Sequence, residues 1–305
     1  MSRTRTLAIT GGTGFVGRHL LRLALDSGYD VRALTRGWKP PEDDIAWIDG
    51  ALDRPDSLAK LASRSDAVIH VAGLINGPKA AFEAVNVTGT ATMIDGARKA
   101  GVRRFIHISS LAAREPQLSD YGRSKARSER LVAASGLDWT IIRPPTIYGP
   151  GDRETLELFK LARRGFVPLP PTGSFSVIHV EDLCRLILAV IDEPDTHSEL
   201  YEPDDGEEGG WPHGHFAKSL GRILGRSAAT MRMPRGMLHG LARIDGLVRR
   251  RNAKLTPDRV NYFCHPDWVA TPERRPPAIL WQPRIPTERG LAETAEWYRA
   301  EGWLP

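Results

Sequence analysis

The sequence predicts an α/β protein in which a doubly wound parallel sheet is followed by a smaller, mostly helical C-terminal lobe. Three observations support this fold class. Strand and helix patterns alternate through the first half of the chain, the strands are β-rich runs with little polar interruption, and a glycine-rich turn follows the first strand. A length of 305 residues suits one large α/β domain with a smaller appendage.

Six apolar runs are the predicted strands, and amphipathic segments between them are the predicted helices. The strands are predicted at Leu7–Thr10, Val31–Leu34, Ile45–Ile48, Ala67–Ala72, Phe105–Ile108 and Trp139–Ile142. The helices are predicted at Gly17–Ser27, Asp56–Ser63, Ala80–Ala100 and Tyr121–Ala134. This βαβαβ order predicts a doubly wound sheet that is covered on both faces.

The pattern changes beyond Pro144, where a cluster of prolines predicts loops over a site. A strand is predicted at Phe175–Val180, returning to the main body, and a helix at Glu181–Ile191 follows it. Residues 202–213 are predicted to form a flexible loop. Further helices are predicted near residues 214–225, 234–249 and 287–300.

Composition and charge narrow the function classes. The net charge of +5 is modest, and basic residues are not interleaved with aromatic ones, so we expect no nucleic-acid binding. No apolar run reaches the roughly 18 residues of a membrane span. Two cysteines suit a reducing compartment, and no apolar signal segment precedes the first strand, so we expect a cytoplasmic protein. We also expect no metal site, because His213 and His215 lack a third spaced ligand.

One basic run, Arg249–Arg251 with Lys254 nearby, allows two interpretations. It is either a solvated helix end or a site for an anionic substrate or an acidic lipid. A peripheral membrane contact or a lipid-like substrate therefore stays open as an alternative.

The glycine-rich turn at residues 10–17 is the first feature that points to chemistry. Gly12, Gly14 and Gly17 fit G-x-G-x-x-G, and Gly11, Gly14 and Gly17 also fit G-x-x-G-x-x-G. Between a strand and a helix, such glycines allow a tight turn, a close backbone approach to pyrophosphate and close helix packing. The open helix N-terminus favours an anion. The turn therefore predicts a dinucleotide site in a Rossmann domain.

A second signal is the Y-x-x-x-K pattern of Tyr121 and Lys125 on a predicted helix. A spacing of four residues puts both side chains on one face, one turn apart. A free tyrosine titrates near pH 10, and a neighbouring ammonium group lowers its pKa toward the range useful for acid–base catalysis. Ser109 and Ser110 end the fifth strand, where the ligand crevice of a doubly wound sheet lies. A hydroxyl there could bind a substrate oxygen.

These motifs together resemble the short-chain dehydrogenase/reductase superfamily, extended or atypical type, known as the NAD-dependent epimerase/dehydratase family. The resemblance covers nearly the whole chain and is specific for the family but not for a substrate. Besides the glycine turn and Y-x-x-x-K, it is carried by the segments at residues 66–73, 86–90, 143–152, 178–182 and 290–298. It implies a Rossmann NAD(P)-binding domain at 1–150, with 175–200 returning to it, and a substrate-binding lobe at 151–305.

The resemblance also implies roles for individual residues. Ser110 would bind the substrate oxygen, with Ser109 as the alternative, and Tyr121 would be the general acid/base. Lys125 would hold the nicotinamide ribose and lower the Tyr121 pKa. Asn86 would be mainly structural. The cofactor would contact Gly11, Thr13, Gly14, Phe15, Val16, Arg36, Leu52, Ala72, Gly73, Tyr121, Lys125, Pro144 and Ile147.

The sequence departs from the family pattern at the adenosine end of the predicted cofactor site. NAD-preferring relatives place an acidic residue after the second strand, where this chain has Thr35 followed by Arg36. An arginine can pair with a 2′-phosphate through two N–H donors. Ala51 also stands where relatives often carry an aspartate against adenine. We therefore expect NADP as the cofactor, with NAD as the alternative.

The resemblance implies an NAD(P)-dependent oxidoreductase, or an epimerase or dehydratase, that acts on a hydroxyl or carbonyl group of a small molecule. The expected partner is that substrate, and the expected state is a monomer or homodimer. An alternative is a non-catalytic NADP-binding sensor or assembly protein, similar to the reductase-like accessory subunit of respiratory complex I. The presence of Tyr121 and Lys125 favours the enzyme, because non-catalytic relatives often lose one of them.

Overall fold

A computed structural model of the protein describes residues 4–37, 39, 44–249 and 256–304. The chain forms two compact units. The first comprises the described residues of Met1–Pro144, Val180–Pro203 and Pro276–Gln282. The second comprises those of Pro145–His179, Asp204–Arg275 and Pro283–Pro305. Most of the basic run, at residues 250–255, lies outside the described residues.

The regular elements of the first half alternate as the sequence predicts, and every predicted strand is present. They are β1 (Thr6–Thr10), α1 (Phe15–Asp26), β2 (Asp30–Thr35), β3 (Ile45–Asp49), α2 (Pro55–Ala62), β4 (Ala67–His70), α3 (Lys79–Phe82), α4 (Gly89–Lys99), β5 (Arg104–Ile108), α5 (Asp120–Ala133) and β6 (Asp138–Ile142). The predicted helix at Ala80–Ala100 is interrupted, because a π-helical turn at Glu83–Thr88 separates α3 from α4.

The second half contains shorter elements. They are β7 (Thr146–Tyr148), α6 (Leu156–Arg163), β8 (Phe166–Leu169), β9 (Ser174–Phe175), β10 (Val177–His179), α7 (Val180–Ala189), β11 (Glu199–Tyr201), β12 (Trp211–Pro212), α8 (His213–Ile223), β13 (Ala229–Arg232), α9 (Arg235–Arg249), α10 (Pro257–Phe263), β14 (Asp267–Trp268) and α11 (Thr287–Ala300).

The first unit is built on a seven-stranded sheet in the order β11-β6-β5-β4-β1-β2-β3 with all neighbouring strands parallel. Strand order reverses between β1 and β4, so this fold confirms the predicted doubly wound sheet. Helices α2 and α4 cover one face through a buried apolar cluster that includes Leu58, Met93 and Phe105. The crevice beside this reversal, at the carboxyl ends of the strands, is where such sheets bind ligands.

The second unit contains small sheets and helices. Strands β7 and β10 pair in parallel, as do β8 and β13, while β9 lies between β12 and β14. Helix α11 is tied to this unit by Tyr298, whose hydroxyl donates to the carbonyl oxygen of Asp152 at 2.7 Å. Gly290 on the same helix leaves no room for a Cβ, which would lie 2.9 Å from the Tyr148 hydroxyl.

One prediction for the second half was wrong, and another was right only in part. The run at 175–180 is not one continuous strand: β9 and β10 belong to different small sheets of the second unit, and Ser176 between them donates to the buried Asp204. The chain rejoins the first unit only at Val180. Residues 202–213 are also not simply a flexible loop, because Glu202 and Asp204 are buried and form ion pairs.

Within the described residues, no helix combines the length and apolar character needed to cross a bilayer. The described part of the chain also holds no cluster of three or more His, Cys, Asp or Glu side chains that could bind a metal ion.

Candidate active site

The turn between β1 and α1 forms a cradle that requires glycine, because an added Cβ would collide with backbone atoms. Gly11 has φ +77°, and a Cβ there would lie 2.7 Å from the backbone nitrogen of Ala72. A Cβ on Gly17 would lie 2.0 Å from the Gly11 carbonyl oxygen, whereas the same oxygen accepts a 2.9 Å hydrogen bond from the Gly14 N–H. The contacts of Gly11, Gly14 and Gly17 therefore follow the G-x-x-G-x-x-G spacing.

Helix α1 begins directly after this turn with an open N-terminus. Gly14 is its N-cap and offers no side-chain cap, and the first turn contains no acidic residue. Thr13 and Gly14 are exposed, and Phe15 and Val16 are half-buried. The unpaired N–H groups and the positive end of the helix dipole suit a phosphate group.

The segment after β4 forms the opposite side of this crevice. The Thr10 hydroxyl at the end of β1 accepts a 3.2 Å hydrogen bond from the Ala72 N–H. Asn86, in the π-helical turn, exchanges hydrogen bonds of 2.7 and 2.9 Å with the backbone of Leu74. Its amide also donates to the Ser124 hydroxyl on α5 at 2.9 Å. Asn86 therefore ties the segment after β4 to the helix that carries Tyr121 and Lys125.

Lys125 is the buried centre of the site. Its side chain is 4% exposed, and its ammonium group donates to the Ile108 carbonyl oxygen at 2.6 Å. A Cβ on Gly73 would lie 3.8 Å from Lys125 Nζ. Burial lowers the pKa of Lys125 to about 8, although the Glu129 carboxylate opposes the shift. The ammonium group is thus held at the end of β5, beside the segment after β4.

Tyr121 lies one turn before Lys125, at the start of α5. Ser119 caps this helix by accepting a 2.9 Å hydrogen bond from the Gly122 N–H. The cap fixes the first turn and therefore the direction in which the Tyr121 side chain leaves the helix. The Tyr121 ring is half-buried and packs 5.9 Å, centroid to centroid, from Phe82 at the end of α3.

The two serines after β5 have different surroundings. Ser109 is 5% exposed and donates to the Glu129 carboxylate at 2.5 Å. Ser110 is half-buried, and its hydroxyl accepts a 3.2 Å hydrogen bond from the Ala112 N–H. A hydroxyl that accepts this bond keeps its own proton for a second partner. Ser110 is therefore better placed than Ser109 to contact a substrate.

A histidine pair lies beneath the lysine, and sequence reasoning missed its importance. His70 on β4 and His107 on β5 are paired in register, with ring centroids 5.5 Å apart and planes within 18°. Burial, helped by the charge of Lys125, lowers the pKa of His70 to about 3 and that of His107 well below its ordinary value. Both rings are therefore neutral at physiological pH.

A charged network holds the outer side of the site. Arg143 forms a paired contact with Glu129, at 2.8 and 2.7 Å, and reaches Glu202 at 3.1 Å. Burial lowers the pKa of Arg143, but the two carboxylates raise it by more. The network links α5, the end of β6 and the residue after β11. Because each buried charge has a partner, removal of any one of them would leave an uncompensated charge beside the helix that carries Tyr121 and Lys125.

The remaining predicted cofactor residues of the first unit are Arg36, Leu52 and Pro144. Thr35 is buried and donates to the Gly37 carbonyl oxygen at 2.8 Å, while Arg36 beside it is exposed. Leu52 is half-buried, and a Cβ on Gly89 would lie 2.9 Å from its side chain. The Pro144 carbonyl oxygen accepts a 3.1 Å hydrogen bond from the Leu111 N–H.

Ile147 belongs to a different unit from the other predicted site residues. It lies on β7 of the second unit, where it pairs with Ile178. The structure therefore brings together the glycine turn, the Ala72–Gly73 segment, Ser110, Tyr121 and Lys125 within the first unit.

Comparisons with known proteins give two kinds of match, by sequence and by structure. The sequence model of the NAD dependent epimerase/dehydratase family matches residues 7–202. The ceramide reductase of Caulobacter vibrioides is 37% identical over 98% of this chain and 96% of its own length. The sterol demethylase protein B of Methylococcus capsulatus is 32% identical over 84% of this chain and 86% of its own length.

A solved structure extends the likeness to the fold of the whole chain. The crystal structure of gox2253 superposes with a TM-score of 0.81 and covers 99% of this chain and 100% of its own. Its sequence identity is 22%, so this likeness concerns the fold.

Proposed function

This chain belongs to the NAD-dependent epimerase/dehydratase family, and from that premise we propose that it is a nicotinamide-dependent reductase of a carbonyl group on a lipid-like small molecule. The observation that carries the proposal is Lys125. It is buried, it is held by the Ile108 carbonyl at the end of β5, and it lies one helical turn from Tyr121. A buried ammonium group is expensive, so its place beside a half-buried tyrosine favours a catalytic purpose.

The cradle of glycines fits the pyrophosphate of a dinucleotide. Added Cβ atoms at Gly11 or Gly17 would collide with backbone, so glycine here keeps the turn tight and its N–H groups accessible. The open N-terminus of α1 complements the negative charge. When bound, the nicotinamide cofactor supplies the two-electron chemistry at the substrate carbon.

Three side chains would then bind the substrate oxygen and transfer a proton to it. Ser110 donates its hydroxyl proton in a hydrogen bond to that oxygen, and Tyr121 transfers its phenolic proton as the carbonyl becomes a hydroxyl. The Lys125 ammonium group favours the phenolate that Tyr121 becomes, which lowers the tyrosine pKa. Proton transfer from solvent then restores the phenol. In the oxidative direction the same groups accept the proton.

The cofactor preference we propose for this chain is NADP. The family is NAD-dependent, but the position after β2 carries buried Thr35 and exposed Arg36 instead of an acid. The Thr35 hydroxyl is engaged with the backbone of Gly37. The Arg36 guanidinium group is accessible, and it presents the paired donors that a 2′-phosphate requires.

The lipid-like substrate class is proposed from the relatives. The match with the ceramide reductase of Caulobacter vibrioides covers nearly the full length of this chain and of that relative. The name of the second relative, sterol demethylase protein B, also refers to a lipid. Ser110, Tyr121 and Lys125 suit the reduction of a ketone on such a molecule, because they serve one oxygen atom.

The test is consumption of NADPH and NADH by the purified protein with a ketone analogue of ceramide in detergent micelles. The proposal expects NADPH oxidation and the corresponding alcohol by mass spectrometry, both abolished by the Ser110→Ala, Tyr121→Phe double variant. UDP-glucose is the comparison substrate. Conversion of UDP-glucose alone would replace the proposal with a sugar epimerase. Cofactor binding without turnover of either compound would favour the non-catalytic sensor or assembly protein.

A further inference from the structure

Helix α9 (Arg235–Arg249) packs on the second unit through a narrow contact. Its buried side chains are Leu238 and Ala242, one turn apart, which join Met233 and Val260 in a small apolar cluster. A fifteen-residue helix with two buried positions leaves most of its circumference outside the core. What occupies the remaining faces therefore decides what the helix can do.

An aliphatic stripe follows the exposed side of α9. Met237, Leu241, Ile244 and Val248 are spaced by four, three and four residues, so they share one face. Their exposed fractions are 50%, 42%, 58% and 76%, and Leu247 beside them is 79% exposed. Scattered exposed apolar residues are ordinary, but a continuous stripe marks an interaction surface.

The segment that contains α9 is strongly basic. Residues 213–257 hold ten Lys and Arg and a single acidic residue, Asp245, for a net charge of +9. The whole chain carries +5, so the rest of the protein is net −4. In the part of the chain that the structure describes, Arg243 on α9 and Arg232 just before it have no ion-pair partner. An anionic surface would supply one.

A basic cavity belongs to the same segment. It has a volume of about 500 Å³ and is lined in part by Lys218 and His215 of α8 and by Thr230 and Arg232 of β13. Lys218 has no ion pair within the described residues. Two cations, a hydroxyl group and an imidazole ring provide donors for the phosphate of a lipid headgroup.

We propose that α9 is an interfacial helix that binds the surface of an anionic phospholipid bilayer. The stripe would enter the boundary between headgroups and acyl chains, and the basic residues would pair with lipid phosphates. A second copy of this chain fits less well, because two +9 segments would face each other. Nucleic acid would meet the charges but would leave the aliphatic stripe without a partner. The proposal is independent of the enzymatic function.

The test is flotation of the full-length protein with vesicles of phosphatidylcholine alone, or of phosphatidylcholine with about one third phosphatidylglycerol. The protein should float with the anionic vesicles and stay behind with the neutral ones. High salt should weaken the binding. The Leu247→Glu, Val248→Glu variant should bind at least about tenfold more weakly, and Arg243→Gln about fivefold. Ile279→Glu, which changes a 99% exposed residue of the first unit, should bind as the wild type does.

Thermal melting and NADPH affinity verify that each variant is folded. Equal flotation of wild type and both α9 variants would overturn the proposal. It would also be overturned if light scattering found a dimer that the Leu247→Glu, Val248→Glu variant dissociates while vesicle binding is absent. Binding to RNA that Arg243→Gln weakens and the Leu247→Glu, Val248→Glu variant leaves unchanged would assign the basic segment to nucleic acid instead.

Discussion

The candidate active-site region of the first unit and helix α9 of the second unit differ in the kind of side chain that they bury. Beneath the carboxyl ends of β4 and β5, a lysine and two histidines lie in the interior, all less than 5% exposed. On α9, aliphatic side chains are exposed while the helix holds to its unit through Leu238 and Ala242. The buried lysine costs folding free energy, and the exposed aliphatic side chains contribute little to it, so each arrangement indicates a purpose other than stability.

In the first unit, folding costs free energy because a charged group is buried. Lowering the Lys125 pKa from its ordinary 10.5 to about 8 corresponds to a penalty of about 3 kcal/mol for the charged form. The histidines avoid a similar penalty by staying neutral. On α9 the aliphatic surface stays in contact with water after folding, and association with a partner would remove it from water. The comparison therefore predicts chemical consequences for changes in the first unit and associative ones for changes on α9.

The largest effect should come from Tyr121→Phe, which removes the proposed acid/base. The turnover number should fall roughly 10²–10⁴-fold, the usual range for loss of such a group. NADPH affinity should change little, since the ring and its contact with Phe82 remain. The measurement is NADPH oxidation with saturating ketone. Tyr29→Phe, a half-buried tyrosine after α1, is the matched control. Full activity in Tyr121→Phe would assign the proton transfer to another group.

Acid should destabilise the first unit through its buried histidines. The His70 pKa is about 3 when folded and near 6.5 when unfolded, so the unfolded chain takes up a proton between these values that the folded chain does not. Stability should therefore fall with decreasing pH below about 6.5, by about 1.4 kcal/mol per pH unit for each such histidine.

Urea unfolding at a series of pH values measures this slope. His70→Gln should reduce it, whereas His197→Gln, at an exposed position, should leave it unchanged. In alkali the slope has the same sign but comes from Lys125: its penalty is present below about pH 8 and is relieved as the pH rises toward 10.5, so stability rises with pH there too. A wild-type slope of zero between pH 6.5 and 4 would show that these histidines are not buried as described.

Substitution of Arg36 tests whether an exposed residue of the first unit also contributes to cofactor binding. Arg36→Ala should weaken NADPH binding by roughly 1.5–3 kcal/mol, the range for a hydrogen bond to a charged group, and leave NADH binding unchanged. Fluorescence titration with both cofactors measures this difference, and Arg54→Ala, which is also exposed, is the control. Equal affinities of the wild-type protein for the two cofactors would refute the NADP preference.

The smallest effect is expected on α9. Leu247→Ser removes an aliphatic side chain that is 79% exposed, so the free energy of unfolding should change by no more than about 0.5 kcal/mol. Leu238→Ser, at a buried position on the same helix, should destabilise the second unit clearly. Chemical unfolding of both variants makes the comparison. Equal losses would mean that the stripe packs against the protein.

The main strands of the sheet and the glycine turn after β1 could be predicted from the sequence, because uninterrupted apolar runs and glycine spacing are local signals. β11 could not be, since Glu199–Tyr201 is three residues long and is a strand only through pairing with β6. The return of Val180 and Pro276–Gln282 to the first unit is likewise a long-range property.

The candidate site divides in the same way into features with a local sequence signal and features that depend on long-range contacts. Ser110, Tyr121 and Lys125 lie in motifs with fixed spacing, and their roles stay predictions. The stacking of His70 on His107 depends on the register of β4 and β5. The sequence did offer a signal for it, because each histidine lies near the end of a predicted strand. The Glu129–Arg143–Glu202 network joins residues far apart in the chain, and no spacing indicates it.

The most direct test of the central claim is to measure NADPH affinity and turnover together in Lys125→Met. The substitution leaves an unbranched side chain that is one atom shorter and removes the charge that is held between the cofactor crevice and Tyr121. We expect NADPH binding to be roughly 10–100-fold weaker, the scale of a lost charged hydrogen bond, and the turnover number at saturating NADPH to be lower. Lys60→Met, at an exposed position on α2, should retain both. Lys125→Met with wild-type affinity and wild-type turnover would contradict the account.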